Sequence, residues 1–466
     1  MDTDFSLLDD YLRDDIAGHY KRNLVLMSLA PRYSFWYAGN APTLERWCIF
    51  GHEYAHFLHN FSTVSGLWDF VTHLKLCRFF GNTVGHDGTS HGTAALNAND
   101  QQDLARTLVC LRHLRGTVYA FNTDYHRQDV QVRFTDIRHE RQVLTFTTQS
   151  EPVELESAHV SFQVWTPRTD EEPCTILLGS WHIMEALAHE IERTIVIANH
   201  ADVALVDHRA KTYPYKFGRL LFEHLSRTTP SPQTLTRVCL MALQSTDPGA
   251  AFIDLANAFA TRPAGETEDI TLQRFAAITV RAFRKSFAAM THRTLQPEFD
   301  LFASRQGLVG RAIATLGAMC QRYVDLRAQD LFFELGLFEQ TLDPDSFHAL
   351  LQSYPPCPIV HEADLDGRPE FFNLSRTALP QDSVDALCAY QAFGQFMLAH
   401  LDQDGFRPTA RCPASKCVFF GACAARPAIE APHLCQTQPW GTFRPDDAEA
   451  CLYAAAVSQA RGRTDS

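Results

Sequence analysis

The chain has 466 residues, enough for two or three domains or for one large body with an appendage. Hydrophobic residues make up 45% and charged residues 20%, the balance of a globular rather than a disordered protein. A net charge of −13 argues against the basic footprint that nonspecific nucleic-acid binding or docking to an anionic membrane needs, so neither partner is expected. The start, Met1-Asp2-Thr3-Asp4-Phe5, has no basic and apolar leader pattern, and no apolar run approaches the roughly 18 residues of a membrane span. Thirteen Cys without a secretory signal fit a reducing compartment, and a cytoplasmic location is the expectation.

In chain order, Tyr11 to Ser28 carries Leu12, Ile16, Tyr20, Leu24 and Leu26 at helical spacing and predicts a helix. Tyr33-Ser34-Phe35-Trp36-Tyr37 predicts a short strand. Leu44 to Thr63 predicts one helix, with Thr43 as N-cap and Glu45 in the first turn, where the helix dipole favours an acid. Its apolar residues, among them Trp47, Phe50, Tyr54, Phe57 and Phe61, fall on most faces, so the helix should be buried.

Inside that helix lies Gly51-His52-Glu53-Tyr54-Ala55-His56. His52 and His56 are four residues apart and project from one side, as two nitrogen ligands of a single tetrahedral zinc must. Glu53 is turned about 100° around the axis from His52, which makes it a poor ligand and a natural general base on a zinc-bound water. His59 lies about 10 Å along the axis from His52, too far to share the ion, and is expected in the core or outside the ligand set.

Leu67 to Phe80 predicts a second helix, His86 to Gln102 a loop, and Leu104 to Leu114 a short helix. From Thr117 to Leu178 the apolar period changes to two. Residues 130–134, 143–147 and 160–164 predict half-buried antiparallel strands, Asp170 to Pro173 a turn, and Thr175 to Leu178 a last strand. Glu185 follows as the candidate third ligand, with small Ala186 and Ala188 suited to close helix packing and His189 one turn on, placed to orient a ligand or to serve as the third ligand in place of Glu185. An ordinary surface helix would leave Glu185, Glu190 and Glu192 solvated instead. Helices are then expected over 182–198, 217–226, 234–243, 249–260, 271–290, 308–328, 346–353 and 383–401, with a loop at Thr261 to Asp269. Tyr354-Pro355-Pro356-Cys357-Pro358 is a stiff connector and a domain boundary.

The tail carries Cys412, Cys417, Cys423 and Cys435, spaced C-x4-C-x5-C-x11-C, with His433 able to replace one of them. Four thiolates suit a second, structural zinc or an iron–sulfur cluster, and the spacing, which lacks a C-x2-C turn, leaves both open.

The His52-Glu53-x-x-His56 pattern resembles the HExxH helix of zincin metallopeptidases. Metzincins place a third His where this chain has Ser62, which excludes that subclass. Gluzincins take a Glu from a second helix, often E-A/G-x-A, and Glu185-Ala186-Leu187-Ala188 is similar to it, although the family usually places that Glu much nearer the second His.

The resemblance implies an α+β, predominantly helical protein with a zincin-like core. Zinc would be held by His52, His56 and Glu185, with Glu53 as general base. The substrate would be a peptide or protein, held extended by an edge strand such as 33–37. Tyr213, Tyr215 or a His of the helical region would donate to the oxyanion. The expected organisation is an N-terminal helical part of the catalytic core (1–116), a β-rich insertion (117–180), a further helical part of the core (181–354) and a C-terminal region with the four-Cys metal site (355–466). An intracellular zinc metallopeptidase of narrow specificity, or one gated by a regulatory protein partner, is the leading expectation. The alternatives are an iron–sulfur or other metal-dependent hydrolase or regulatory protein, and a non-catalytic binding protein on a zincin scaffold.

Overall fold

The computed structural model describes residues 18–30, 33, 43–117, 130–145, 152–166, 171–290, 295–303, 307–341, 359–363, 369–372, 380–447 and 450–460. The architecture is α+β and mostly helical. It opens on a hairpin of β1 (Gly18–Lys21) and β2 (Leu26–Leu29), so the helix expected over 11–28 is corrected from residue 18 onward. The reason lies in Leu24, Val25, Leu26 and Met27, none more than 3% exposed. An unbroken apolar run suits a strand covered on both faces as well as it suits a buried helix. On its far side β2 pairs in parallel with β6 (Ile359–Ala363), which pairs with β7 (Pro369–Phe372), giving the sheet order β1-β2-β6-β7. The strand expected at 33–37 lies outside the described residues except for Tyr33.

Helix α1 (Leu44–Ser62) forms as expected, with the Thr43 hydroxyl accepting from the Arg46 N–H at 3.3 Å. Thr63 closes it and at once opens α2 (Val64–Gly81). Its hydroxyl donates to His59 O at 2.6 Å and accepts from the Gly66 N–H at 3.1 Å. A Cβ on Gly66 would lie 2.2 Å from His59 O, so only glycine fits this corner. Helix α3 (Ala98–Arg115) starts earlier than predicted, because the Asn97 side chain caps it by accepting from the Asp100 N–H at 2.9 Å.

The β-rich insertion is an antiparallel sheet in the order β3 (Gln131–Leu144), β4 (Val153–Trp165), β5 (Glu172–Leu178). The strand expected at 130–134 and the start of the one expected at 143–147 belong to one strand, β3; residues 146–147 lie outside the described residues. Its polar middle, Asp136 to Gln142, reads as a break in the sequence, yet it pairs residue for residue with β4. Cross-strand charges hold it there, with Arg141 against Glu154 and His159 Nε2 3.5 Å from Glu140. At the inner end Phe134 and Phe162 pack on Phe217 at ring distances of 5.4 and 5.1 Å. His113 of α3 pins the sheet to the body. Its ring nitrogens lie 3.0 Å from Ser157 Oγ of β4 and 2.6 Å from Asp247 Oδ1.

The helical body follows: α4 (Ser180–Ala198), α5 (Ala204–Asp207), α6 (Phe217–Ser226), α7 (Pro232–Ala242), α8 (Pro248–Ala260), α9 (Glu268–Met290), α10 (Gln296–Ala303), α11 (Leu308–Gln329), α12 (Phe333–Phe338) and α13 (Gln381–His400). Helix α1 packs on α4, α2 and α11, and α13 packs along α11. The helix expected at 346–353 and the connector at 354–358 lie outside the described residues. Buried side chains on both sides of that connector belong to one continuous core.

Two buried charge clusters brace α1 and α2. Arg327 of α11, 1% exposed, grips both oxygens of Glu334 and donates to Ser62 Oγ at 2.6 Å. Asp69 of α2 accepts from Arg115 at 2.7 and 2.6 Å and from Arg22 at 3.2 Å. Among the described residues no helix is long and apolar enough to cross a membrane.

Candidate metal centre

Helices α1 and α4 approach closely at Gly51, where a Cβ would lie 2.6 Å from Ile195 Cδ1. His52 and His56 thereby face Glu185. The ligand atoms of these three side chains lie within 4.8 Å of one another, the only such group of three or more His, Cys, Asp or Glu among the described residues. His52 Nε2 is 3.5 Å from Glu185 Oε2, and His56 Nε2 is 3.6 Å from Glu185 Oε1. Those separations are long for hydrogen bonds. They match the roughly 3.4 Å between two ligands of one tetrahedral zinc with bonds of about 2.1 Å. Two imidazoles and one carboxylate are a donor set that could hold a divalent cation such as zinc.

The orientation of His52 is fixed from outside that set. Its Nδ1 lies 2.7 Å from Glu192 Oε1; a proton on Nδ1 leaves the Nε2 lone pair directed at Glu185. The other Glu192 oxygen is 3.5 Å from His189 Nδ1, and His189 Nε2 is 3.2 Å from Asp207. His189 thus meets Glu192 and Asp207 and is not part of the His52-His56-Glu185 group. Glu192 itself has no place in the sequence-derived ligand scheme. Its spacing of seven from Glu185, two helical turns on the same face, was the signal available. Glu190 points away and pairs with Arg219 at 2.8 and 2.5 Å. None of the three acids is solvated, as a surface helix would have them. The small residues also serve otherwise than predicted: Ala186 faces Gly218 of α6, where a Cβ would lie 2.5 Å away, and Gly51 opens the approach of α1 to α4.

The pocket is electrostatically unbalanced. Burial, reinforced by Glu185 and Glu192, pushes the Glu53 carboxyl up to about 8 against the pull of His52. Burial acts the same way on Glu185, yet His56 and His52 hold it far below the usual carboxylate range. His189 and His52 hold Glu192 at about 2 despite burial. Burial lowers His56 to about 4, whereas Glu185 and Glu192 overcome burial and raise His52 well above its ordinary value. Three carboxyl groups thus crowd two histidines in a buried site, a set that a divalent cation between His52, His56 and Glu185 offsets.

Around it, the Tyr215 ring stands edge-on to His52 at 5.6 Å. Tyr213 Oη is instead engaged at 2.9 Å by His182, which caps the start of α4. Strand β1 lies against α1: the Tyr20 N–H donates to the Glu53 carboxylate, and a Cβ on Gly18 would lie 3.0 Å from Glu53 Cγ. His59 is fully buried, 3.5 Å from Glu334, and belongs to the core.

In the tail, Cys417, Cys423 and Cys435 line one cavity of about 200 Å³. Cys412 is not among its lining residues, and its thiol donates to Pro408 O at 3.8 Å. His433 is exposed and does not line the cavity either. Cys451 and Cys388 do.

Protein-family models, curated proteins and solved structures give no match to this chain. The functional reading rests on the geometry.

Proposed function

We propose that this protein is a zinc-dependent metallopeptidase whose centre is His52, His56 and Glu185. The observation that carries the reading is the convergence of these three side chains at ion-ligand separations, with Glu192 orienting His52 and Glu53 beside them. A zinc ion in this donor set supplies Lewis acidity to a water and to the carbonyl under attack.

The chain's own groups do the rest. Glu53 takes the proton of the attacking water and passes it to the leaving amine. Tyr215, next to His52, donates to the oxygen on which charge develops. Strand β1, at the end of its sheet and against Glu53, takes the substrate backbone in extended form, which favours a peptide over a compact small molecule. This assigns to 18–21 the role expected of 33–37. The described cysteines are all free thiols, which suits work in a reducing compartment such as the cytoplasm.

The test is metal content by mass spectrometry together with cleavage of a peptide library, for wild type, Glu53→Gln and His52→Ala. One zinc at this centre in wild type and in Glu53→Gln, with cleavage reduced by about 10²–10⁴ in the latter, is the expected result. Zinc retained at this centre in His52→Ala, or full activity in Glu53→Gln, overturns the reading.

A further inference from the structure

Away from α1 and α4, the tail gathers a second set of ligating side chains. After α13 the chain crosses back as three short helices, α14 (Arg426–Glu430), α15 (Pro432–Thr437) and α16 (Leu452–Ala460). The cavity of about 200 Å³ between them and α13 is walled by Cys417, Cys423, Cys435 and Cys451, with Cys388 behind. Cys412 does not line the cavity, and its thiol donates to Pro408 O at 3.8 Å, so it stands apart from the set. Cys388 borders the cavity from α13.

Backbone amides are aimed at the sulfurs. The Ala425 N–H reaches Cys423 Sγ at 3.4 Å and the Ala454 N–H reaches Cys451 Sγ at 3.3 Å, while Cys417 Sγ accepts from the Phe419 N–H. The Cys417 N–H donates to Cys435 O at 2.7 Å and ties two of the segments together. Amides donating to sulfur stabilise thiolates, and thiolates buried together need a cation.

We propose that Cys417, Cys423, Cys435 and Cys451 ligate one iron–sulfur cluster of the [4Fe–4S] type in this cavity. The spacing favours a cluster over a single zinc. Thiolates around one zinc, with bonds of about 2.3 Å, stand about 3.8 Å apart. Among the described residues the group of three or more ligating side chains within 4.8 Å of one another is His52, His56 and Glu185, and it includes none of these sulfurs. Cluster thiolates sit at separate irons of a cube and stand farther apart, around a space that this cavity supplies. The cluster staples tail segments that carry little regular structure onto α13. The inference is independent of the peptidase reading.

The full-length protein, purified and reconstituted without oxygen with ferric iron, a thiol reductant and sulfide, tests it. About four irons and four acid-labile sulfides per chain, broad visible absorption and a paramagnetic signal after dithionite reduction are expected. Cys451→Ser loses the cluster, while Cys412→Ser and Cys388→Ser keep the full complement. Zinc in the tail without iron, or a Cys412→Ser variant that loses its iron, overturns the proposal. The Cys412→Ser arm decides even if Cys451→Ser fails to fold.

Discussion

The centre on α1 and α4 and the cysteine cavity of the tail are built in opposite ways. At the first, two ligands come from one turn of one buried helix, the third from a helix packed on it, and Glu192 fixes His52 from behind. At the second, the four thiols come from short helices and connecting segments, and what holds them is mostly amide-to-sulfur contacts. A helix converts a spacing in sequence into a direction in space. A loop does not: the tail's spacing pattern could group cysteines but could not say which of them turn inward.

The first site is held by helix packing and by the Glu192–His52 contact, whereas the second would be held together by the proposed cluster. The largest expected effect follows from that. Where a site is not preformed in the unfolded chain, the free energy of binding its metal is folding free energy. Chelation should therefore open the chain between 412 and 451 to limited proteolysis and leave α1 and α4 resistant. Equal cleavage in both regions, or in neither, breaks the comparison.

Next in size is the brace under α1. Removing one partner of a buried ion pair costs about 3–5 kcal/mol, so Glu334→Ala should lower the urea midpoint accordingly by exposing Arg327 to burial without its carboxylate. The same group sets an acid limb. Burial would raise the Glu334 carboxyl, but Arg327 and His59 hold it at about 2, below its ordinary 4.5. Its stabilising effect is complete above pH 4.5 and is lost as pH falls from 4.5 towards 2. Urea midpoints across that range should drop in wild type and flatten in Glu334→Gln.

Glu192→Gln sharpens the contrast at the centre itself. Loss of an outer hydrogen-bond partner weakens metal affinity by about 10–100-fold, read by competition with a chelating dye, while the helices stay folded. The smallest effect is expected on the outer β3–β4 ladder. Arg141→Ala removes an exposed pair with Glu154, screened by solvent, and should leave the thermal midpoint essentially unchanged.

The sequence carried α1 almost whole, because Thr43, Glu45 and the apolar spacing act within the helix and are independent of the rest of the fold. The pairing of His52 and His56 with Glu185 was also legible, since both motifs lie on helices. The β1–β2 hairpin was not. Leu24 to Met27 is an apolar run that either element can bury, and its parallel partner β6 lies far along the chain. Strand β3 was split by its own charges, whose neutralising partners sit on β4. Cys451 was missed because it stands beyond a stretch of unrelated composition, and only folding returns it to Cys417 and Cys435.

The Thr63 corner has a consequence for how this chain tolerates changes of length. One residue ends α1 and begins α2, and Gly66 already touches the His59 carbonyl. A single inserted residue there would rotate everything after it by about 100° and carry Asp69 away from Arg115. Changes of length are better tolerated where no such corner stands, as in β3 from Arg138 to Val143, whose residues are exposed and lie away from the Phe134–Phe162 contact.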